Sequence, residues 1–398
     1  MSPRRKGGAL VALATAVSAV VMLATSASAA TDPIVIGWAY DSKGSMSPFD
    51  VSAVASAQLH LKTINRRGGA LGRQIALRTC DTQGNKPTVA KACAAKLLGQ
   101  GADIIFTTCD VQLAAPVVQE AINRGVLAVA TCIGTDQMGP KRFGKKGRLA
   151  FTFGNVAQDE GSAMAEYAWK RGWRDAALAT DTVIDYFQNV VQAFEARWKQ
   201  LGGKIVAKET YQSSPAGNPN PASAQNVVNR LQDVDADVIV TATAPPWGAM
   251  VPILNGLRTL GVETPMINSW AGDGNYWLPK DPEVTNYYFV TYASVFGDDP
   301  SKVANAWAKQ VKPLVGSYIT GPAAIDGVVT AIKRAKSTQG IALAAQMEKF
   351  KNVPTVSGRV TFSPSLHAVS GRAYRVIRIQ NNQPKVVASV TAKVLPKI

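Results

Sequence analysis

Apolar runs of strand length alternate with helix-length periodic segments from Ile34 onward. Ile34–Tyr40 (IVIGWAY) reads as a first strand, followed by a Ser/Gly/Pro-rich loop and a helix over Val51–Arg66. Further strands are predicted at Gln74–Thr79, Ile104–Thr108, Val126–Thr131 and Leu149–Gly154, with helices at Thr88–Leu98 and Leu113–Asn123. Strands separated by helices of this length form βαβ units, and hence a parallel sheet. The alternation starts afresh after residue 150. Helices at Gly161–Lys170, Tyr186–Leu201, Ala222–Leu231 and Trp247–Leu260 interleave with strands at Ala176–Thr180, Lys204–Tyr211, Asp237–Thr243 and Pro265–Ser269.

The remainder follows a different order. Tyr288–Tyr292 is extended, and helices are predicted at Ser301–Val315, Ala323–Lys336 and Gly340–Lys351. Arg359–Phe362, Ala373–Gln380 and Lys385–Thr391 alternate like strands, with Asn381-Asn382 as a turn. That is too little for a third domain. The expected fold is α/β, with two Rossmann-like lobes of parallel sheet flanked by helices and three crossovers between them. Residues 31–150, completed by 292–354, form one lobe; 151–291, completed by 355–398, form the other. The crossings are expected near Phe151–Gly154, Val290–Ala293 and Thr355–Arg359.

Residues 1–30 read as a cleaved signal peptide. Arg4, Arg5 and Lys6 precede an unbroken apolar stretch over Ala9–Ala24, and small residues at Ser26–Ala30 allow cleavage after Ala29 or Ala30. The stretch is short and Ala-rich for a membrane span, and no Cys follows it to carry a lipid. An exported, extracytoplasmic protein is expected. The chain carries a net charge of +16, which becomes +13 without the three leader cations. A nucleic-acid binder concentrates such charge among aromatic residues. Here only Lys141–Arg148 (KRFGKKGR) clusters, reading as a solvated loop, so no nucleic-acid partner is expected.

An even number of cysteines in an exported chain argues for disulfides. Of the three possible pairings, Cys80–Cys93 with Cys109–Cys132 is favoured. The first joins a strand end to the next helix, the second two neighbouring strand ends, each contributing roughly 3 kcal/mol. The two His, His60 and His367, read as structural, and no Cys pair has CxxC spacing, so neither metal nor cofactor is expected.

Ligands of parallel sheets bind beyond the carboxyl ends of the strands. Cys109-Asp110 and Cys132-Ile133-Gly134-Thr135 fall on two such ends. Asp41, Asp110 and Asp185 there would suit an amine, a guanidine, a hydroxyl or an amide N–H, the other reading being a turn or helix cap. Trp38, Tyr40, Tyr186, Trp247, Trp270, Tyr276 and Trp277 also lie near strand ends, where aromatic faces stack on rings or hold cations. Core packing is the alternative, above all for Trp38 inside its strand. Thr131 and Thr135 offer hydroxyls. No nucleophile elbow, phosphate-binding GxxxxGK or HExxH motif is present, and no enzymatic activity is expected.

Taken in order, these elements resemble the extracellular solute receptors of branched-chain amino acid ABC importers, the leucine/isoleucine/valine-binding type of periplasmic binding protein with the type I fold. Ala53–Gly72 (AVASAQLHLKTINRRGGALG) resembles the family's first helix and its INxxGGxxG end. Cys80-Asp81 with Lys86–Leu98, Ile104–Cys109, Val126–Thr135 and Ala179–Tyr186 resemble successive family segments, and Gly358–Pro364 (GRVTFSP) resembles the opening of the last crossover. The resemblance implies a monomeric, non-catalytic receptor whose lobes close on a small solute and present it to an ABC permease. By position it implies ligand contacts at Asp110, Cys132, Gly134 and Thr135 in one lobe. In the other it implies Tyr186, Ala244–Trp247 and Ser269-Trp270, with Tyr318 near the third crossover.

This chain departs from the family at the ligand. Cys109-Asp110-Val111 stands where amino-acid receptors carry a Ser-rich turn, and a carboxylate there repels an anion. Ser269-Trp270-Ala271 stands where the family places an acid for the ligand's ammonium, with Asp273 displaced, and Phe187 replaces a Gly. A small polar or aromatic solute is expected, not clearly an α-amino acid. A freestanding extracellular sensor using the same lobes is the alternative.

Overall fold

The computed structural model describes residues 32–216, 218–311, 316 and 318–398; the signal sequence expected over 1–30 lies outside these residues. β1 (Ile34–Tyr40) is buried along nearly its whole length, as a parallel strand covered on both faces must be. It lies between β2 (Ile75–Asp81) and β3 (Ile104–Thr107), and β4 (Leu127–Ala130) and β5 (Ala150–Thr152) extend the parallel sheet beyond β3. Helices α1 (Ser47–Arg66), α2 (Pro87–Gly99) and α3 (Val111–Asn123) make the crossovers, and a single turn, α4 (Pro140–Phe143), precedes β5. Helix α1 begins four residues earlier than the periodicity predicts, because Pro48 is well placed in a first turn, where its missing N–H costs nothing.

The second lobe begins with α5 (Ala157–Lys170), β6 (Asp175–Asp181), α6 (Asp185–Leu201) and β7 (Lys204–Tyr211). It continues with α7 (Pro221–Leu231), β8 (Val238–Ala242), α8 (Met250–Thr259), β9 (Met266–Asn268) and β10 (Tyr287–Thr291). After α9 (Lys302–Gln310), α10 (Thr320–Ala335) and α11 (Gly340–Met347) comes a small hairpin of β11 (Val353–Thr355) and β12 (Gly358–Val360). The last residues expected in α9 fall outside the described residues. β13 (Tyr374–Gln380) then pairs antiparallel with β10 and β14 (Gln383–Val390) antiparallel with β13, giving the order β14-β13-β10-β9-β8-β6-β7. No helix among the described residues is long and apolar enough to cross a membrane.

Helix α10 returns Ala324, Ile325, Val328 and Ile332 to the core of the first lobe. Residues 358–369, expected with the second lobe, also pack on the first: Val360, Phe362 and Val369 join that core. The reason is an aromatic cluster, in which Phe362 meets Phe151, Phe153 and Phe350. The third crossing therefore lies later than Thr355–Arg359. It falls where Val369 pairs with Asn155, their backbones exchanging hydrogen bonds through Val156 and Gly154.

Arg372, 3% exposed, ties the crossings together. Its Nε donates to Asn155 Oδ1 (2.8 Å), one terminal nitrogen to the Phe153 carbonyl (2.8 Å) and the other to Ser357 Oγ (2.8 Å). Its guanidinium lies 3.9 Å from the ring centre of Tyr292, at the second crossing.

Helices α5 and α6 approach closely at Gly161, where a Cβ would collide with the backbone of Val190 and Phe194. Backbone cannot rotate aside, so Gly161→Ala is expected to destabilise by about 1–3 kcal/mol, despite the better helix propensity of Ala. Urea unfolding checks the sign: an unchanged or raised midpoint would contradict this packing.

Candidate functional site

Strand order reverses beside β1 and β3 in the first sheet and beside β6 and β8 in the second. In doubly wound sheets such reversals open a crevice at the carboxyl ends of the strands. Here the two crevices face each other, and the loops after β1, β3, β4, β6, β8 and β9 build one cleft.

The loop after β1 is shaped by two buried acids. Asp41 accepts from the backbone N–H of Lys43, Gly44 and Met46 (3.2, 2.7 and 3.1 Å), and Asp50 accepts from the N–H of Asp41 (2.9 Å). The fold of this loop presents Met46 and Phe49 to the cleft. After β3, Asp110 caps α3: its Oδ1 accepts from the N–H of Gln112 (2.9 Å) and Leu113 (3.0 Å). The Cys109–Cys132 disulfide joins the ends of β3 and β4, and the Cys80–Cys93 disulfide staples β2 to α2.

In the second lobe a fully buried acid on α5 organises the wall. Glu160 accepts from the Tyr186 hydroxyl (2.9 and 3.0 Å), the Trp270 N–H (2.6 Å) and the Tyr374 hydroxyl (3.4 Å). Trp270 stacks on Tyr292, with ring centres 5.2 Å apart, and meets Phe49 of the first lobe at 5.7 Å. Trp247 packs on Phe187 and donates from Nε1 to the Ser45 carbonyl across the cleft (3.1 Å). Gln112 likewise reaches Asp185 Oδ2 (2.7 Å), and Gly134 lies so close to the Tyr186 ring that a Cβ would collide with it. These contacts hold the two lobes against each other across the cleft.

With the lobes in contact, the pocket left between them has a volume of about 20 Å³. Its walls are Met46, Phe49, Ile184, Tyr186, Phe187, Trp247, Trp270 and Ala271, with the Cys109–Cys132 disulfide and Asp110. Asp110 is the only acid among these residues, and none is Lys, Arg or His. Burial raises its carboxyl above the usual range; its two N–H partners and Arg142 oppose the rise, and Asp185 adds to it. Trp270 Nε1 and the Tyr318 hydroxyl are buried without a hydrogen-bond partner. Among the described residues no three His, Cys, Asp or Glu side chains gather as a metal site.

The structure brings Asp110, Cys132, Tyr186, Trp247 and Trp270 together around the space, with Gly134 behind Tyr186. Thr135 is buried beside them, its hydroxyl turned to the Gln137 N–H. Tyr318 is buried in the same core cluster as Trp270 and does not line the pocket. Trp38 and Tyr40, also expected at the ligand, are elsewhere. Trp38 is wholly buried in the first core against Phe106, because both faces of a central parallel strand are covered. Tyr40 packs on that same core. Met46, Phe49, Ile184, Phe187 and Glu160 were not anticipated. Met46 and Ile184 are loop residues and Phe49 and Phe187 lie in first helical turns, where periodicity gives little signal, although their position directly after β1 and β6 was itself a pointer; Glu160 lies within α5.

A family model described as "Periplasmic binding protein" matches residues 33–384. A Leu/Ile/Val-binding protein of Rhizobium johnstonii, BraC3, is 23% identical over 338 residues, covering 83% of this chain and 87% of the relative. Among solved structures, the branched-chain amino acid transporter substrate-binding protein LivJ of Streptococcus pneumoniae, in complex with isoleucine, superposes with a TM-score of 0.75. It is 21% identical, over 90% of this chain and 99% of that one. An ABC-transporter solute-binding protein of Rhodopseudomonas palustris, in complex with 3,4-dihydroxybenzoic acid, superposes with a TM-score of 0.74 at 16% identity, over 92% and 99% of the two chains. At these identities the structures share the fold.

Three acids of this region are pushed up by burial: Asp50 and Glu160 to about 7, Asp159 to about 6. Each keeps its proton in the folded state at a pH where the unfolded chain has lost it. Their stabilisation is complete below about pH 4 and is lost as pH rises through 6 to 7. His367, lowered by burial, acts in the opposite sense below about pH 6.5, one group against three. The melting temperature is therefore expected to fall between pH 5 and pH 8, and Glu160→Gln to flatten that slope. A melting temperature that rises over this interval would contradict the assignment.

Proposed function

The chain belongs to the periplasmic binding protein family, and from that premise we propose that it is an exported receptor. It captures a small polar or aromatic solute between its lobes and delivers it to an ABC importer. The single observation that carries this reading is the closed cleft, whose aromatic walls come from six strand-end loops of two lobes. The pocket of about 20 Å³ has room for about one water, so a solute enters only when the lobes part and re-forms the walls around itself. Relatives named for Leu, Ile and Val and neighbours solved with isoleucine or hydroxybenzoates support a small organic solute. The family and fold are those of non-enzymatic solute-binding proteins. The leader pattern at Arg4–Ala30 supports export with cleavage near Ala29 or Ala30. The receptor acts as a monomer, one lobe bounded by 31–150 with 292–354 and the other by 151–291 with 355–398, apart from the 358–369 segment placed above.

Closure follows from tighter binding to the closed form. Met46, Phe49 and Asp110 approach from one lobe and Tyr186, Trp247 and Trp270 from the other, so a ligand touching both holds the hinge shut. The mature protein is to be screened by thermal shift and tryptophan fluorescence against amino acids, amides, polyamines, sugars, and aromatic acids and amines. A ligand at 100 times its Kd is expected to stabilise by about 2.7 kcal/mol. Trp270→Ala is expected to weaken that ligand at least about tenfold, as loss of a central aromatic anchor does. A flat screen across every class would overturn the receptor reading in favour of a sensor that engages a protein partner.

A further inference from the structure

The geometry points to an organic cation as the solute: an ammonium group on a small aromatic or apolar body, boxed by ring faces against the Asp110 carboxylate. This rests on the receptor reading and names the ligand class of the same cleft. Asp110 is 4% exposed and faces the enclosed space. Both backbone hydrogen bonds it accepts end on Oδ1, and Oδ2 receives none from the described residues. A buried carboxylate is costly unless it is paired, and no Lys, Arg or His lines the space to pair it. Asp185 adds a second acid at the rim, held by Gln112, with Arg142 as the opposing cation nearby. A ligand ammonium supplies the missing partner.

The walls suit the same charge. Phe49, Tyr186, Phe187, Trp247 and Trp270 surround the space, and ring faces attract cations. The Tyr186 hydroxyl and the Trp247 Nε1 are engaged by Glu160 and Ser45, so neither serves an anion. The N–H groups at the start of α3, which would otherwise form an anion site, are occupied by Asp110 itself. The indole donor of the wall that no described residue pairs, Trp270 Nε1, is neutral, and a hydroxyl or ether oxygen satisfies it. An anionic ligand would instead place a second negative charge beside Asp110 with nothing in the wall to offset it.

The test compares three probes of one ring and similar length, 2-phenylethylamine, 2-phenylethanol and 3-phenylpropionate, by calorimetric titration of the mature protein. The amine is expected to bind about tenfold or more tightly than the alcohol, with the acid weakest. Asp110→Asn retains the cap acceptor, so the fold is preserved. It is expected to cut amine affinity about tenfold or more while leaving the alcohol within about threefold. Tighter binding of the acid, or an equal effect of Asp110→Asn on amine and alcohol, overturns the assignment. So does silence from all three probes while another solute from the wider screen binds, an outcome that leaves the receptor reading intact. If no solute of any class binds, the receptor reading falls and the cation assignment falls with it.

Discussion

The rest of the molecule depends on burying the Arg372 guanidinium at the junction of the crossings. A guanidinium can leave water only where acceptors meet its donors, and removing a partner from such a site strands a charge. Here the acceptors come from Asn155, Phe153 and Ser357, and the ring of Tyr292 covers one face. Two crossings and the segment leading into the third are thereby held at one point.

The junction is continuous with the cleft. Asn155 donates from its backbone to the Tyr292 hydroxyl and from its side chain to Asp159, the neighbour of Glu160. The other face of the path is Trp270, stacked on Tyr292 and held through its N–H by Glu160. A solute resting on Trp270 therefore leans on the same aromatic residue that lies against Arg372. Hinge closure in such folds needs the ligand to prefer one arrangement of packed elements. This run of contacts is a physical route by which seating a solute and fixing the hinge become one event.

Much of this was legible in the sequence. The βα alternation follows from period, and parallel strands buried on both faces give continuous apolar runs such as IVIGWAY. The same rule explains why Trp38 was ambiguous: in a strand apolar on both sides, period cannot say which side faces a ligand. The cysteine pairs were readable because Cys109 and Cys132 end neighbouring strands. Glu160 was not readable. An acid on an amphipathic helix reads as solvent-facing, and only the three-dimensional arrival of Tyr186, Trp270 and Tyr374 turns it inward. Residues 358–369 were misplaced because their lobe is chosen by aromatic partners distant in the chain, Phe151 and Phe153, rather than by local pattern.

The cleft and the surface carry opposite electrostatic signs. The whole chain is strongly basic, at +16, yet the enclosed space is lined by one acid and no cation. Exposed charges more than about 8 Å from a solute are screened at physiological ionic strength, whereas a buried carboxylate is screened far less. In the proposed receptor the surface field therefore acts on what the protein meets at long range, and the local field of Asp110 on which solute is retained. On the proposed reading, that separation is how a basic protein can retain a cation. The residue proposed to select the solute is the one directly after Cys109, placed at the start of α3 by the cap it makes.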